Sequence, residues 1–200
     1  MKKLALLFLL VSNFLSSQTW QPLTSILSNT ISSNQRFDDV FFLNENLGWA
    51  ANGYFSEVFK TTDGGTNWIS QTTGAALGSS HYFRNIEFLD ENIGFLGTLN
   101  QKFYKTTDGG TTWSLVTNIT PNPVAICGLD CVGTSTVYGC GAYFSPAYII
   151  KSTDSGNTWQ YINMSTYADA LVEVLFLDEN IGFAAGKNPT GGVILKTIDG

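Results

Sequence analysis

The sequence predicts an all-β fold, a β-propeller of four-stranded antiparallel blades with about four blades present as part of a larger ring. The first reason is a box of pattern Lys-Ser/Thr-x-Asp-x-Gly-x-x-Trp that recurs along the chain. Its aspartates stand 45, 46 and 45 residues apart, at Asp63, Asp108, Asp154 and Asp199. The second reason is a strand–turn–strand pattern with the same period, and the third is a composition rich in Gly, Ser, Thr, Asn and aromatic residues. Short strands joined by tight turns have this composition.

Four strands are predicted in each repeat. Apolar residues alternate along the first two, so each strand buries one face. The turn between them is rich in Asp, Asn and Glu, and Asp or Asn side chains at a turn bond nearby amides. The matching apolar positions are Val40/Phe42/Trp49, Ile86/Phe88/Phe95, Leu129/Cys131/Tyr138 and Val174/Phe176/Phe183. A third strand leads into each box, and a fourth begins at the box tryptophan.

Residues 1–17 are predicted to be a secretory signal peptide. Lys2 and Lys3 precede an apolar run over residues 4–11, and small residues end at Ser17. We therefore expect an exported protein, secreted, periplasmic or at the cell surface, that begins at Gln18. No cysteine lies near the cleavage point, so no lipid anchor is predicted. No integral membrane segment is predicted after removal of the signal.

Residues 18–200 are predicted to form the propeller. Blades are expected at 37–80, 81–125, 126–170 and, incomplete, 171–200. Trp20 stands 48 residues before Trp68, where a box tryptophan belongs, so residues 18–25 are predicted to be an orphan closing strand. Either this strand completes the last blade of a closed ring, or the chain is a fragment of a longer ring. The fourth box stops at Gly200, which favours the fragment.

Charge and cysteine content limit the partners. The formal net charge of −6 becomes −8 once Lys2 and Lys3 are removed, and Lys and Arg are not clustered, so nucleic acid is excluded as a partner.

The three cysteines, Cys127, Cys131 and Cys140, are interpreted as small buried residues, and the sequence leaves open whether two of them form a disulfide. A metal site is not predicted, since the single histidine is remote from them, and no cofactor is expected.

The box itself is interpreted as a structural turn. Its Asp is expected to accept hydrogen bonds from backbone N–H groups two and three residues on and from the nearby Ser or Thr hydroxyl. Its Gly takes a conformation that a side chain would obstruct, and its Trp packs between blades. The structural residues are Thr61, Asp63, Gly65, Trp68, Thr106, Asp108, Gly110, Trp113, Ser152, Asp154, Gly156, Trp159, Thr197 and Asp199.

These boxes resemble the Asp-box, or BNR, repeat. The order of a Gly-Phe/Trp strand, a small-residue turn and Lys-Thr-Thr-Asp-Gly-Gly-x-x-Trp looks most like the propellers of the Ycf48-like, photosystem II assembly factor type. The resemblance covers nearly all of residues 18–200, and it implies a propeller whose boxes lie away from any catalytic site. The same repeat occurs in sialidases, xyloglucanase-type endoglucanases and sortilin-like receptors, so the resemblance implies a fold rather than an activity.

Two classes of enzyme are built on propellers with this repeat. A sialidase needs a cluster of arginines, and this stretch has only Arg36 and Arg84, so it does not contain a sialidase site. A xyloglucanase-like enzyme needs two acids facing a cleft. Asp39 aligns with Asn85 and Glu173 and is interpreted as an ordinary solvated residue. No catalytic residue is predicted.

The residues expected to face a central channel are Phe37, Asp38, Phe83, Arg84, Leu171 and Glu173, of which Asp38, Arg84 and Glu173 are the candidate ligand-facing residues. Arg84 is the first to test, because a cation beside aromatic residues can recognise an anionic or aromatic group. The sequence predicts an exported, non-catalytic scaffold or binding module that presents loops to a protein or glycan partner. The alternative is a glycan-active hydrolase of sialidase-like or xyloglucanase-like propeller type with catalytic residues outside this stretch.

Overall fold

The computed structural model describes residues 20–26, 36–73, 76–78, 81–141 and 146–200, and the predicted signal peptide lies outside them. The described residues form strands and no helix, so no helix among them is long and apolar enough to cross a membrane. The strands are β1 (Phe37–Phe42), β2 (Gly48–Asn52), β3 (Glu57–Thr61), β4 (Ile69–Thr73), β5 (Phe83–Phe88), β6 (Gly94–Thr98), β7 (Phe103–Thr106), β8 (Ser114–Leu115), β9 (Gly128–Val132), β10 (Thr136–Gly141), β11 (Tyr148–Ser152), β12 (Gln160–Asn163), β13 (Ala170–Phe176), β14 (Gly182–Asn188) and β15 (Gly191–Thr197).

The strands build four sheets, which are numbered here as blades 1 to 4. Strands β1–β4, β5–β8 and β9–β12 form four-stranded sheets in sequential order, and β13–β15 form a three-stranded sheet. All neighbouring strands pair antiparallel. These sheets confirm the predicted all-β fold of antiparallel blades.

The first strand of each blade (β1, β5, β9 or β13), called the inner strand here, pairs with the second strand in a repeated register. Val40, Ile86, Leu129 and Val174 lie opposite the equivalent positions Ala50, Leu96, Gly139 and Ala184. In blade 1, the next pair on the same face is Phe42 with Gly48, and a Cβ on Gly48 would lie 2.7 Å from the Phe42 ring. Glycine is needed there because the ring covers the strand. The equivalences predicted from the sequence are therefore confirmed.

Three of the four inner strands, β1, β5 and β13, contain a β-bulge. The register shifts between Phe37 and Asp39, between Phe83 and Asn85, and between Leu171 and Glu173. The extra residues are Asp38, Arg84 and Val172. A bulge leaves its extra residue unpaired and re-aims the neighbouring side chains.

The hydrophobic core lies between blades. Trp49 of blade 1 stacks on Phe88 of blade 2 with ring centroids 3.6 Å apart, and Tyr138 of blade 3 stacks on Phe176 of blade 4 at the same distance. Three core clusters fill the three seams between consecutive blades. Burial of these aromatic and aliphatic side chains is the main favourable term that joins the blades.

The predicted closing strand over residues 18–25 is not formed in its described part. Residues 20–26 contain no strand, and Trp20 is 96% exposed. Leu23 instead lies beside Gly65 of the first box, 3.7 Å from the place of a Cβ, and Ser25 Oγ is 3.5 Å from the Gly65 carbonyl oxygen. The repeat alignment of Trp20 thus predicted a strand where the segment folds over blade 1 without pairing.

Candidate functional site

Each box is a turn held by one hydroxyl and one carboxylate. In the second box, Thr106 Oγ1 donates to Asp108 Oδ1 at 2.8 Å and accepts from the Gly110 N–H at 3.0 Å. The same carboxylate oxygen accepts from the Thr112 N–H at 2.8 Å. Equivalent bonds occur in the first and third boxes, and the Thr197 hydroxyl donates to Asp199 in the fourth.

The predicted turn differs from the observed turn in its reach. Each of the first three box aspartates accepts from the backbone N–H four residues on, which was not predicted. The predicted bond from the N–H three residues on is present at Asp154. The longer reach arises because two consecutive residues adopt left-handed backbone. In the first box these are Gly64 and Gly65, with φ of 68° and 85°, whereas in the third box Ser155 takes the first of the two positions with φ of 57°. Left-handed backbone favours glycine, and the second position is Gly in each of the first three boxes, with φ of 85°, 92° and 75°.

The box carboxylates are occupied by these bonds. The Thr158 hydroxyl and N–H, followed by the Ser152 hydroxyl, lower the pKa of Asp154 to about 2. Bonds from the Asn67 backbone and side chain likewise lower the pKa of Asp63. Hydrogen bonds to the charged form have this effect. Such carboxylates are poor candidates for proton transfer near neutral pH.

The box also joins one blade to the next. Lys60 begins the first box, yet its Nζ donates to the carbonyl oxygen of Gly109 in the second box at 3.1 Å. The Trp49 indole donates to the same oxygen at 3.0 Å, and Lys60 Nζ lies 5.1 Å from the Trp49 ring centroid. The seam between blades 3 and 4 repeats the arrangement, because Lys151 bonds the Gly200 carbonyl and lies over Tyr138.

The box tryptophans close the turns in two cases of three. Trp68 and Trp113 donate their indole N–H to the carbonyls of Gly65 and Gly110, at 3.1 and 3.0 Å. The indole N–H of Trp159 is buried without a partner among the described residues. The Phe95 ring packs against Gly156 in that turn.

A polar cavity of about 430 Å³ lies on the inner strands. It brings together Asp38, Arg84 and Glu173, the three candidate ligand-facing residues. The full lining is Asp38, Asp39, Arg84, Asn85, Glu87, Leu129, Asp130, Glu173, Val174 and Leu175. Five carboxyl groups and one guanidinium thus share this space. Phe83 and Leu171 were predicted to face the channel, but both are buried in the inter-blade cores.

Two of the cavity acids join neighbouring blades. Asp39 Oδ2 of blade 1 accepts from the Ile86 N–H of blade 2 at 2.8 Å, and Asp130 of blade 3 accepts from the Phe176 N–H of blade 4. The interpretation of Asp39 as an ordinary solvated residue is therefore wrong, since it is partly buried and bonded across a seam. Asn85, at the equivalent position of blade 2, donates to the Cys127 carbonyl of blade 3 at 2.6 Å.

Burial raises the pKa of four cavity acids, namely Asp39, Glu87, Asp130 and Glu173. Desolvation, followed by the charges of Asp130, Asp39 and Glu173, raises the pKa of Glu87 to about 9. Desolvation also raises the pKa of Asp130 to about 6 and that of Glu173 above its ordinary value. Glu87 is therefore protonated at neutral pH and presents an O–H donor within a group of acceptors. Acids with such shifted pKa values occur at binding and catalytic sites as well as in structural networks.

Glu87 and Asp130 are the cavity residues that sequence reasoning missed. They lie opposite Phe95 and Tyr138 in the register, the same position as Phe41 and Leu175 in the other two blades. An acid that replaces an apolar residue at one register position of a repeat is a signal available from the sequence.

The three cysteines lie in blade 3. All three cysteines are free, and the Cys127 N–H donates to the Cys140 carbonyl at 2.7 Å. Burial raises the pKa of the Cys127 thiol. Within the described ranges no group of three or more His, Cys, Asp or Glu residues is arranged to hold a metal ion.

The fold and the cavity define the class of protein: a partial β-propeller with structural box turns at its seams and a polar cavity on its inner strands. No protein-family model and no curated protein matches the sequence. Among solved structures the chain is similar to YCF48 from Cyanidioschyzon merolae, with 18% identity and a TM-score of 0.64 over 83% of this chain and 54% of that one. It is also similar to YCF48 bound to D1 peptide, with 19% identity and a TM-score of 0.58 over 81% of this chain and 54% of that one.

A third similar structure is the GH74 enzyme of Niastella koreensis, with 22% identity and a TM-score of 0.59 over 81% of this chain and 28% of that one. At these identities the likeness shows the propeller fold alone. The chain spans about half the length of the YCF48 structures it matches, 54% in both cases.

Proposed function

We propose that this chain is an exported, non-catalytic binding module that holds a segment of a protein or glycan partner at the inner-strand cavity. The observation that carries the proposal is the cavity itself, about 430 Å³ in volume and lined by Asp38, Arg84 and Glu173. Concave sites with a few convergent polar groups are the usual places of ligand binding. The bulges at Asp38 and Arg84 also support a site at this cavity, because β-bulges are enriched beside functional sites.

The chemistry of the cavity favours ligands rich in hydrogen-bond donors. Carboxylates accept from amide N–H groups, amines and sugar hydroxyls, and Arg84 supplies the only positive charge among the described residues of the lining. The comparison with YCF48 bound to D1 peptide supports a protein partner, since that propeller structure holds a peptide. The export part of the proposal depends on residues 1–17, and amino-terminal sequencing of the protein from its host should find Gln18 first.

The test is a screen of peptide and glycan arrays with the folded protein. Ligands of the wild-type protein are expected to lose binding to Arg84→Ala and to Glu173→Gln. Glu91→Gln is the matched control, because it makes the same change of charge on an exposed turn of blade 2. If both cavity variants bind the selected ligands as tightly as the wild type does, the cavity is not the site.

A glycan-active hydrolase is the second candidate. It is favoured by the likeness in fold to a GH74 enzyme and by Glu87, whose raised pKa of about 9 keeps a proton available to a leaving group. Release of reducing ends from xyloglucan or another polysaccharide, lost in Glu87→Gln, would support it. Absence of release from every polysaccharide tested by the wild-type protein would reject it.

A further inference from the structure

The inner-strand cavity contains more acidic than basic groups. Among its described residues, five carboxyl groups share the space with one guanidinium, that of Arg84. We infer that the cavity binds the basic side chain of a protein partner, a lysine ammonium or an arginine guanidinium, and that Glu87 is the carboxyl group that contacts it. This inference rests on the proposed function, because it names the chemical class of ligand that the same cavity holds.

Glu87 differs from the other cavity acids in its hydrogen bonds. The other four carboxyl groups accept from backbone N–H groups or from neighbouring side chains; they are those of Asp38, Asp39, Asp130 and Glu173. The carboxyl group of Glu87 is partly buried and makes no hydrogen bond with any described residue. Its oxygens are therefore available to a donor that enters the cavity.

Two further oxygens on side chains of the lining lack a donor. Asn85 is 5% exposed and donates through Nδ2 to the Cys127 carbonyl at 2.6 Å, but its Oδ1 accepts no hydrogen bond within the described ranges. Asp38 Oδ2 is also buried without a donor, on a side chain that is 1% exposed. Buried polar groups normally have partners. The cavity thus lacks donors rather than acceptors, and ammonium and guanidinium groups consist of donors only.

The charges around Glu87 also favour a cation. The groups that face it are Asp39 of β1, Asp130 and Cys131 of β9, and Glu173 of β13. Burial, followed by the three carboxylates, raises the pKa of Glu87 to about 9. A cation beside these acids stabilises their charged forms and offsets the repulsion between them. Glu87 and Asp130 lie on blades 2 and 3, each of which packs against a blade on both sides, so this cluster is not on an end face.

The apolar part of the lining favours a basic side chain over an amino sugar. Leu129, Val174 and Leu175 line the cavity together with the acids. Lysine and arginine place an apolar stem along such residues while the charged end meets polar groups. An amino sugar has hydroxyl groups around its ring and no comparable stem.

Arg84 is placed to bind the main chain of the same partner. Its guanidinium forms no ion pair with a described residue, and its hydrogen bond to the Asp38 carbonyl is long, at 3.5 Å. Most of the donors of a guanidinium are therefore free to bind a peptide carbonyl oxygen. The expected arrangement is a basic side chain at Glu87 and a neighbouring carbonyl of the same peptide at Arg84.

The test is titration of the protein, followed by NMR, with blocked peptides of sequence Gly-Gly-X-Gly-Gly in which X is arginine, lysine, acetyl-lysine or glutamine. The arginine and lysine peptides should bind at least about tenfold more tightly than the two neutral peptides, because only they form charge-assisted hydrogen bonds. Glu87→Gln keeps the shape of the protonated acid and should remove this preference. Glu91→Gln makes the same change on an exposed turn of blade 2 and is the matched control, which should keep it.

The pH dependence of binding separates contact with Glu87 from attraction by the overall negative charge. The arginine peptide stays charged throughout, so its affinity should rise from about pH 7 to about pH 9 as Glu87 releases its proton. The rise should be up to about tenfold per pH unit, the limit for linkage to one proton. In Glu87→Gln the affinity should not rise.

Three results would overturn this inference. They are equal affinity for the arginine and glutamine peptides, equal losses in Glu87→Gln and Glu91→Gln, and tighter binding of glucosamine oligomers than of the arginine peptide. If the arrays nevertheless select neutral or acidic ligands that depend on Arg84 and Glu173, the proposed function stands without it. If neither the arrays nor the peptides give a ligand, both fail. Circular dichroism establishes that each variant is folded.

Discussion

Replacing Thr106 by valine removes one hydroxyl from the second box and leaves the shape of the side chain nearly unchanged. Thr106 is buried, and its Oγ1 accepts from the Gly110 N–H at 3.0 Å while donating to Asp108 at 2.8 Å. Without the hydroxyl, the buried Gly110 N–H has no acceptor. An unsatisfied buried donor costs about 1–3 kcal/mol, so we expect a loss of about 2 kcal/mol in the free energy of unfolding.

The assay is urea unfolding followed by tryptophan fluorescence and circular dichroism, whose coincidence checks for a single transition. In thermal unfolding the same loss corresponds to a decrease of roughly 4–8 °C in Tm for a chain of this size. Thr111→Val is the control. Its hydroxyl bonds the Asp108 carbonyl at 3.2 Å but is exposed, so the change should stay within about 0.5 kcal/mol. Equal effects of the two variants, or no effect of Thr106→Val, would refute the account of the box.

The remaining predictions concern the cavity acids and the seams. Glu87 has a pKa of about 9 in the folded protein and its ordinary, lower pKa in the unfolded chain, so the free energy of unfolding should fall as pH rises between those two values. Urea midpoints measured from about pH 5 to pH 8 should show this slope, and Glu87→Gln should flatten it. Asp154 should give the opposite pH dependence of stability, because its pKa is lowered to about 2 in the folded protein. Its stabilisation is present above the ordinary pKa of an aspartate and is lost as pH falls toward 2, and Asp154→Asn should remove this pH dependence. Lys60→Met should cost about 1 kcal/mol because it removes a hydrogen bond to Gly109 and a cation–π contact. Lys196→Met should lower the free energy of unfolding by less than Lys60→Met does, and equal losses in the two variants would contradict the role given to the Gly109 carbonyl.

The repeat made the blades predictable, because a strand register is fixed wherever one face is buried. The positions of Val40, Ile86 and Val174 could be aligned without coordinates, and the structure pairs them alike. The Asx turns at Asn44 and Asp90 also follow from local chemistry, and both side chains accept two backbone N–H groups.

Contacts between blades were not predictable in the same way. Nothing in the local pattern says that Lys60 bonds the following box rather than its own, because that bond depends on how two sheets stack. Asp39 was misinterpreted for the same reason, since its partner, the Ile86 N–H, lies 47 residues away. Glu87 and Asp130 meet in the cavity only because separate inner strands converge on it.

The central claim is that the box carboxylates maintain the fold and that the inner-strand cavity holds the ligand. It is tested most directly by the affinity of one array-selected ligand for two folded variants, Asp108→Asn and Arg84→Ala, measured by calorimetry below both melting temperatures. The account predicts that Asp108→Asn is less stable yet binds with wild-type affinity, whereas Arg84→Ala keeps its stability and loses the ligand. Retained binding in Arg84→Ala together with lost binding in folded Asp108→Asn would contradict it.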